Sequence, residues 1–394
     1  MIRQAALYLA TPDDRRAALL PIAGRPVAFR TLMGAVRAGV SHIGIPAVFR
    51  NTELDRSIAL TRSAREAVTW LEPESPAPDE PTLLLPAATF VPSLTVVTPL
   101  ADDGGSAVIV GSIDGGSAVV AVGPEITRSL WSPLTIGAPL GDAIRRALAR
   151  QDIGVPEQRS AAALVSGAAS IRTPEREAIA QAEAWLVARL GSPIDTWFDR
   201  VFHRRLSRLV SLPAARWGVT PNTVTIASFV VGLVAALGFW LGTPLRAVVG
   251  LVVYAAAVIL DHADGEVARL TFTESAFGEW LDVAADTIVH ALIVIAMGLQ
   301  AQRVAGDHAA TLGFVAAAGV LASALLAKIA PPPDTRLGTV YNTLGNRDGF
   351  YVMLVAFIVV LATAPSGLAV FMAFVAAGSH AYWIGRVAYH LRRR

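Results

Sequence analysis

The chain has 394 residues, enough for two or three domains that each bury a core. Hydrophobic residues make up 54% of it and charged residues 16%, a balance that points to a membrane-embedded portion, while a formal net charge of +2 is too small to argue for a nucleic-acid partner. There is no cysteine, which excludes disulfides, thiolate catalysis and zinc–thiolate sites.

In chain order, residues 1–150 mix charge, Gly and Pro with short apolar runs such as Ala5–Ala10, His42–Val48, Thr82–Leu85 and Ala107–Val110. Helical periodicity appears around Pro26–Ala38, so this part reads as a soluble α/β domain. Ala5–Ala10 is too short for a signal peptide and leads into Asp13-Asp14-Arg15-Arg16, so a cytosolic N-terminal domain is expected. Residues 151–194 read as a linker and connecting helix. The Ala/Ser/Gly-rich stretch ends near 172, and Thr173-Pro174-Glu175 has the pattern of a helix start. From 195 to 217, Trp197, Phe198, Val201, Phe202, Leu206 and Leu209 alternate with Arg200, Arg204, Arg205 and Arg208, which predicts an amphipathic helix in the lipid interface.

Six spans are predicted over 195–394: about 222–241, 246–260, 278–302 and 309–329, then two within the uncharged run 350–385, divided near Pro365-Ser366-Gly367. The second is short, and works only as a helix continuing past Asp261 into an interface or aqueous cavity. Arginines at 200–216 and 386–394 place both ends, and the loop with Lys328, Arg336 and Arg347, on the cytosolic side. Arg246 and Arg303 fall on the other side.

Between the second and third spans runs DHADGEVARLTFTESAFGEWLDVAAD, residues 261–286. Read as helix, Asp261, Asp264, Gly265 and Ala268 share one face, and Gly278, Asp282 and Asp286 share a face of the next span. Four carboxylates on two facing stripes at the bilayer edge need cations. All-oxygen ligation favours Mg²⁺ or Mn²⁺, and several carboxylates can hold two such ions, a pair suited to phosphoryl chemistry. Small residues between the acids leave room for a ligand. Glu266, Glu274 and Glu279 read as solvated charges, and His262 and His380 as structural. A proton or ion pathway is the competing use of such acids.

The spacing D-x2-D-G-x2-A-R-x8-G-x3-D-x3-D, met by Asp261, Asp264, Gly265, Ala268, Arg269, Gly278, Asp282 and Asp286, resembles the signature of the CDP-alcohol phosphotransferases. Thr220-Pro221-Asn222 resembles the tripeptide before that family's first span. The resemblance covers about residues 195–391. It implies a cytosol-facing site in an inner membrane, with Asp261, Asp264, Asp282 and Asp286 as metal ligands and Asp286 also as the base on the acceptor hydroxyl. Gly265, Ala268, Arg269, Gly278 and Asn222 would serve the nucleotide. The implied reaction is attack by an alcohol on a CDP-alcohol, releasing CMP. The donor would be CDP-diacylglycerol or a CDP-polyol such as CDP-inositol, the acceptor a polyol or polyol phosphate, and the assembly a homodimer. Lys328, Arg336 and Arg347 are candidates for an acceptor phosphate.

Residues 1–150 resemble a nucleotidyltransferase of the sugar-nucleotide or inositol-phosphate type, a Rossmann-like fold, through LLPIAGRPVAFRTLMGAVRAGVSHIGIPA. The Gly-rich phosphate loop of that family is here Ala10-Thr11-Pro12-Asp13-Asp14-Arg15-Arg16, without Gly. Pro12 has no amide proton, Ala17 stands where the family has Lys, and Ala87 or Ala88 where it has a metal-binding Asp. A degenerate domain is expected. Two alternatives to the phosphotransferase remain: a carboxylate-based transporter, or a pseudoenzyme using its soluble domain to bind partners.

Overall fold

A computed structural model describes residues 2–91, 107–110, 118–150, 171–172, 176–191, 195–306, 308–326 and 347–391. The chain divides into two compact units, Met1–Arg189 and Leu190–Arg394.

The first unit is an α/β sheet. Its strands are β1 (Gln4–Tyr8), β2 (His42–Pro46), β3 (Val68–Leu71), β4 (Thr82–Pro86), β5 (Ala107–Val110) and β6 (Val119–Val122), in the order β3-β2-β1-β4-β6-β5. The first four pair in parallel and the last two join antiparallel. Strands β1 and β4 read as near-continuous apolar runs because both faces are covered. Helix α1 (Val27–Arg37) buries Phe29, Leu32 and Met33, and α2 (Pro124–Thr135) and α3 (Gly141–Arg150) bury Leu130, Trp131, Ile144 and Leu148. Helix α4 (Arg176–Ala188), read from sequence as part of the linker, packs on this unit. Its Ala182 is buried with Ile22, Val27 and Phe90, and Glu183 accepts the amide of Ala23 at 2.8 Å. Ile171–Arg172 pairs with Thr89–Phe90. The stretches 151–170 and 173–175 lie outside the described residues.

The second unit is helical. A π-helical turn, Asp199–His203, leads into α5 (Arg204–Arg216). Then come α6 (Pro221–Trp240), α7 (Pro244–Thr271), α8 (Ala276–Ala305), α9 (Ala309–Leu326), α10 (Arg347–Thr363) and α11 (Leu368–Leu391). Pro at the first helical position opens both α6 and α7, and Thr220, Thr243 and Ser275 cap α6, α7 and α8 through their hydroxyls. The helices approach closely where glycines face each other. A Cβ on Gly238 would stand 2.6 Å from the Gly250 Cα, and one on Gly298 2.6 Å from the Gly313 Cα. The core gathers Phe239, Tyr254, Met297 and Phe357.

Against six predicted spans, five described helices are long and apolar enough to cross a membrane. The remaining apolar helix, α10, has 17 residues. Its first two, Arg347 and Asp348, are charged, and Pro365–Gly367 forms a 3₁₀ turn directly beyond its end. Helix α7 does continue past Asp261, to Thr271. The segment before the bundle inverts the pattern of a surface helix. It buries Asp199, His203, Arg204, Ser207 and Ser211, while Trp197, Phe202 and Leu209 are exposed.

Candidate active site

The site is built where the C-terminal end of α7 meets the N-terminal end of α8. Asp261, Asp264, Asp282 and Asp286 all line one cavity of about 1040 Å³. The i, i+3 spacing turns Asp261 and Asp264 to the same side, and the i, i+4 spacing does the same for Asp282 and Asp286. Asp264 accepts the Thr225 hydroxyl of α6 at 2.5 Å. Asp282 lies against Asp261. Asp286 is 3.6 Å from His290 Nδ1, whose Nε2 meets the Tyr254 hydroxyl at 2.7 Å.

Cationic compensation for this cluster comes from α10. Arg347 Nη2 donates to Asp261 Oδ2 at 2.6 Å and stands 4.0 Å from Asp286 Oδ2. The cavity is lined by six carboxylates and four guanidinium groups, an excess of negative charge. Hard oxygen donors at that density fit a divalent cation of the Mg²⁺ or Mn²⁺ type.

Of the residues read as serving the nucleotide or an acceptor phosphate, Gly265, Arg269 and Arg347 line the cavity. Ala268, Gly278 and Asn222 stand outside its lining. The latter two face each other, with Asn222 Oδ1 3.4 Å from where a Cβ on Gly278 would lie. Lys328 and Arg336 lie outside the described residues. Glu274 and Glu279 are exposed as expected, but Glu266 is not. It is fully buried, takes Arg204 Nη1 at 3.0 Å and the Ser207 hydroxyl at 2.9 Å, and its pairing reflects the buried polar face of α5. Arg204 completes that network with two bonds to Asp195, at 3.0 and 2.7 Å.

Among the lining residues that the sequence reading did not assign to the site are Thr196, Asp199, His262, His290 and Arg386. Asp199 Oδ1 meets His203 Nδ1 at 2.9 Å and His262 Nε2 at 2.8 Å, three buried groups close enough to hold an ion of their own. Burial alone would raise the Asp199 pKa, but hydrogen bonds from His203, His262 and the Thr196 amide hold it well below the usual carboxylate range. The available signal was an Asp and a His four apart on a face read as arginine-rich. Arg386 was counted as a cytosolic flank, yet it is 5% exposed and its guanidinium lies 5.3 Å from the Tyr382 ring centre. Away from the acids the cavity wall turns apolar, with Val320, Met353, Phe371, Phe374 and Val375. One space thus joins an acidic head to an apolar flank.

In the first unit, two amides of the loop after β1 are already taken by the chain's own acid. The Asp14 carboxylate, buried, accepts the amides of Ala10 at 2.8 Å and Thr11 at 3.2 Å, together with the Thr11 hydroxyl at 2.7 Å. Ala87 and Ala88, beyond β4, are buried.

Comparison with known proteins places the second unit. Residues 218–382 match the family model described as CDP-alcohol phosphatidyltransferase. The archaetidylinositol phosphate synthase of Pyrococcus horikoshii is 36% identical over 85 residues, 22% of this chain and 44% of that protein. The synthase of the same description from Aeropyrum pernix is 36% identical over 109 residues, 24% of this chain and 55% of the relative. The bifunctional IPC transferase and DIPP synthase of Thermococcus kodakarensis is 34% identical over 95 residues, 24% of this chain and 21% of that protein. The chain therefore spans between about a fifth and about half the length of these relatives.

Proposed function

We propose, from the match of residues 218–382 to the CDP-alcohol phosphatidyltransferase family, that this protein moves a substituted phosphate from a CDP-alcohol to an acceptor alcohol and releases CMP. The observation that carries the reading is the convergence of the four signature carboxylates on one cavity. Asp261, Asp264 and Asp282, with Asp286 at the edge, are the residues that would hold divalent metal, Mg²⁺ or Mn²⁺, as one or two ions. Such ions, when bound, neutralise the diphosphate and stabilise the leaving CMP. Asp286, beside His290, takes the proton from the acceptor hydroxyl as that oxygen attacks the phosphorus distal to cytidine. Gly265 presents no side chain to the nucleotide, and Arg269 carries positive charge at its end of the cavity. Arg347 and Arg386 line the same cavity, and their guanidinium forks suit an acceptor phosphate. With Asp261 engaged in holding a metal, Arg347, which donates to that carboxylate here, would be released to bind the phosphate.

The apolar wall supports a lipid-linked substrate, for which a purely polar pair of reactants would have no use. Relatives described as archaetidylinositol phosphate synthases support an inositol phosphate as the acceptor. Together these favour a CDP-linked lipid donor such as CDP-diacylglycerol, with a polyol phosphate as acceptor. The bundle is read as six spans in an inner membrane. Helix α10, roughly 26 Å at ~1.5 Å per residue, crosses with its charged end in the cytosol-facing cavity, and Trp197, Phe202 and Leu209 rest in the lipid interface. A homodimer is expected. The first unit is read as a scaffold without nucleotidyl transfer, because Asp14 fills the amide nest that a phosphate would need.

The test is CMP release by the purified protein in detergent with Mg²⁺. CDP-diacylglycerol and CDP-inositol are each paired with inositol, glycerol and their phosphates. The expected result is release that depends on CDP-diacylglycerol and a polyol phosphate. It falls by about 10² to 10⁴ in Asp286→Asn, as for loss of a general base. Solute flux through liposomes without CMP release would overturn the reading in favour of a carrier.

A further inference from the structure

The reaction leaves unused a cluster of polar groups on the π-helical turn that precedes the bundle. Thr196 and Asp199 cap each other: the Asp199 amide donates to Thr196 Oγ1 at 3.1 Å, and the Thr196 amide donates to Asp199 Oδ2 at 3.0 Å. A π turn is rare and costs backbone hydrogen bonding, so its presence at Asp199–His203 calls for compensation from what its side chains touch.

What they touch is the start of α10. The Thr196 hydroxyl donates to Asp348 Oδ1 at 2.7 Å. His203 Nε2 meets the Tyr351 hydroxyl at 2.9 Å, with the Phe198 ring edge-on to Tyr351 at 5.4 Å. Asp199 Oδ1 stands 3.8 Å from Arg347 Nη1, and His262 Nε2 lies beside both, 2.8 Å from the carboxylate and 3.0 Å from the guanidinium. Positions 347, 348 and 351, the first turn of α10 and the residue just beyond it, are therefore all gripped from one side. Arginine has many rotamers, and a long side chain facing several carboxylates has more than one of them to settle on. A grip on the residues around it fixes the arc its guanidinium can sweep.

We infer that the turn Thr196–His203 is a positioning element, which sets Arg347 at the distance where it can receive the acceptor's phosphate. The inference rests on the reading of Arg347 as the acceptor-phosphate residue. Thr196, Asp199, His203 and Tyr351 act through Arg347 and touch no reacting atom. The chemical class recognised is a phosphate monoester on a polyol, and the cost of disturbing the grip falls on that ligand alone, not on the nucleotide.

The experiment uses the full chain in detergent with Mg²⁺. Inositol 1-phosphate and, separately, CDP are titrated calorimetrically into wild type, Arg347→Gln, Tyr351→Phe, His203→Phe and His203→Gln. Tyr351→Phe removes one oxygen and keeps the ring packing, so its fold is retained. The expected result for Arg347→Gln is polyol-phosphate binding weakened by about tenfold or more, as for a lost charge-assisted bond. Tyr351→Phe and His203→Phe are expected to weaken it about fivefold, the scale of one hydrogen bond. CDP affinity stays at the wild-type value in Tyr351→Phe and His203→Phe, and His203→Gln, which keeps a donor, recovers most of the loss. If Arg347→Gln weakens binding while Tyr351→Phe and His203→Phe do not, the positioning element is overturned and the phosphate reading of Arg347 stands. If polyol phosphate and CDP affinities fall together, the turn is merely structural and the inference also fails. If Arg347→Gln binds inositol 1-phosphate like wild type, or wild type does not bind it, the acceptor reading falls and takes the inference with it.

Discussion

Glu266 shows how a single side chain can mislead and then instruct. Within a stretch of signature acids it reads as one more solvated charge, since a carboxylate beside Arg269 on a helix end is ordinary. The structure buries it completely against Arg204 and Ser207, which come from a helix some sixty residues earlier in the chain. No local pattern encodes that partner. Breaking a buried pair from one side leaves an uncompensated charge. Glu266→Ala is therefore expected to lower the unfolding free energy by about 3 kcal/mol, measured by chemical denaturation in detergent. A loss below about 1 kcal/mol would mean that the pair is hydrated. Asp199 gives the pH counterpart. Its folded pKa is depressed by His203, His262 and the Thr196 amide against the effect of burial. The stability it contributes is present above the ordinary aspartate pKa near ~3.9 and is lost as pH falls through the lower folded value. Asp199→Asn is expected to be less stable than wild type at pH 7, and the gap to narrow below about pH 4. Melting temperatures across pH 3 to 8 check this, and a gap that widens in acid would contradict it.

At the scale of elements, the sequence was most readable where physics is local. Uncharged runs marked the helices, and Pro221, Pro244 and the capping hydroxyls marked their starts. Carboxylates at i, i+3 and i, i+4 foretold which faces would meet, because helical periodicity alone decides that. What stayed hidden depends on packing between elements: the π turn at Asp199–His203, the inward turn of Arg386, and Arg347–Thr363 being shorter than the run that contains it. Glycine pairs belong to the same class. Gly298 and Gly313 read as unremarkable small residues, yet each would drive a Cβ to within 2.9 Å of the other's backbone. Gly298→Val should therefore force α8 and α9 apart, while Gly378→Val, where a Cβ would meet nothing within 4 Å, should not. The expected outcome is a fall of several degrees in the melting temperature for the first and little change for the second, as for overpacking of about 1–3 kcal/mol. Equal effects would show that the close approach between α8 and α9 is not limiting.

For the whole molecule, the question is what a sheet unit contributes to the proposed membrane reaction. The family match, 218–382, lies wholly within the second unit, and so do the four carboxylates, Arg347 and the cavity. The first unit has its own core, closed by α4 through Ala182 and Glu183. Its loop after β1 spends its amides on Asp14, so an incoming phosphate would have to displace a buried carboxylate bound by three donors. Among the described residues each unit has a core of its own, and the acid cluster on which the proposed phosphoryl transfer rests lies in the second. A chain of residues 190–394 is expected to insert into membranes and to release CMP within about threefold of the full protein, a change of less than 1 kcal/mol in the barrier. Residues 1–189 are expected to form no CDP-polyol from CTP and a polyol phosphate, with or without an Asp14→Gly change that reopens the nest. Assaying both fragments beside the intact chain separates the possibilities. Loss of CMP release from 190–394, with its helices still folded by circular dichroism, would show that the sheet unit takes part in the reaction. Product from residues 1–189 would show that Asp14 yields to a triphosphate and that the first unit is a working enzyme.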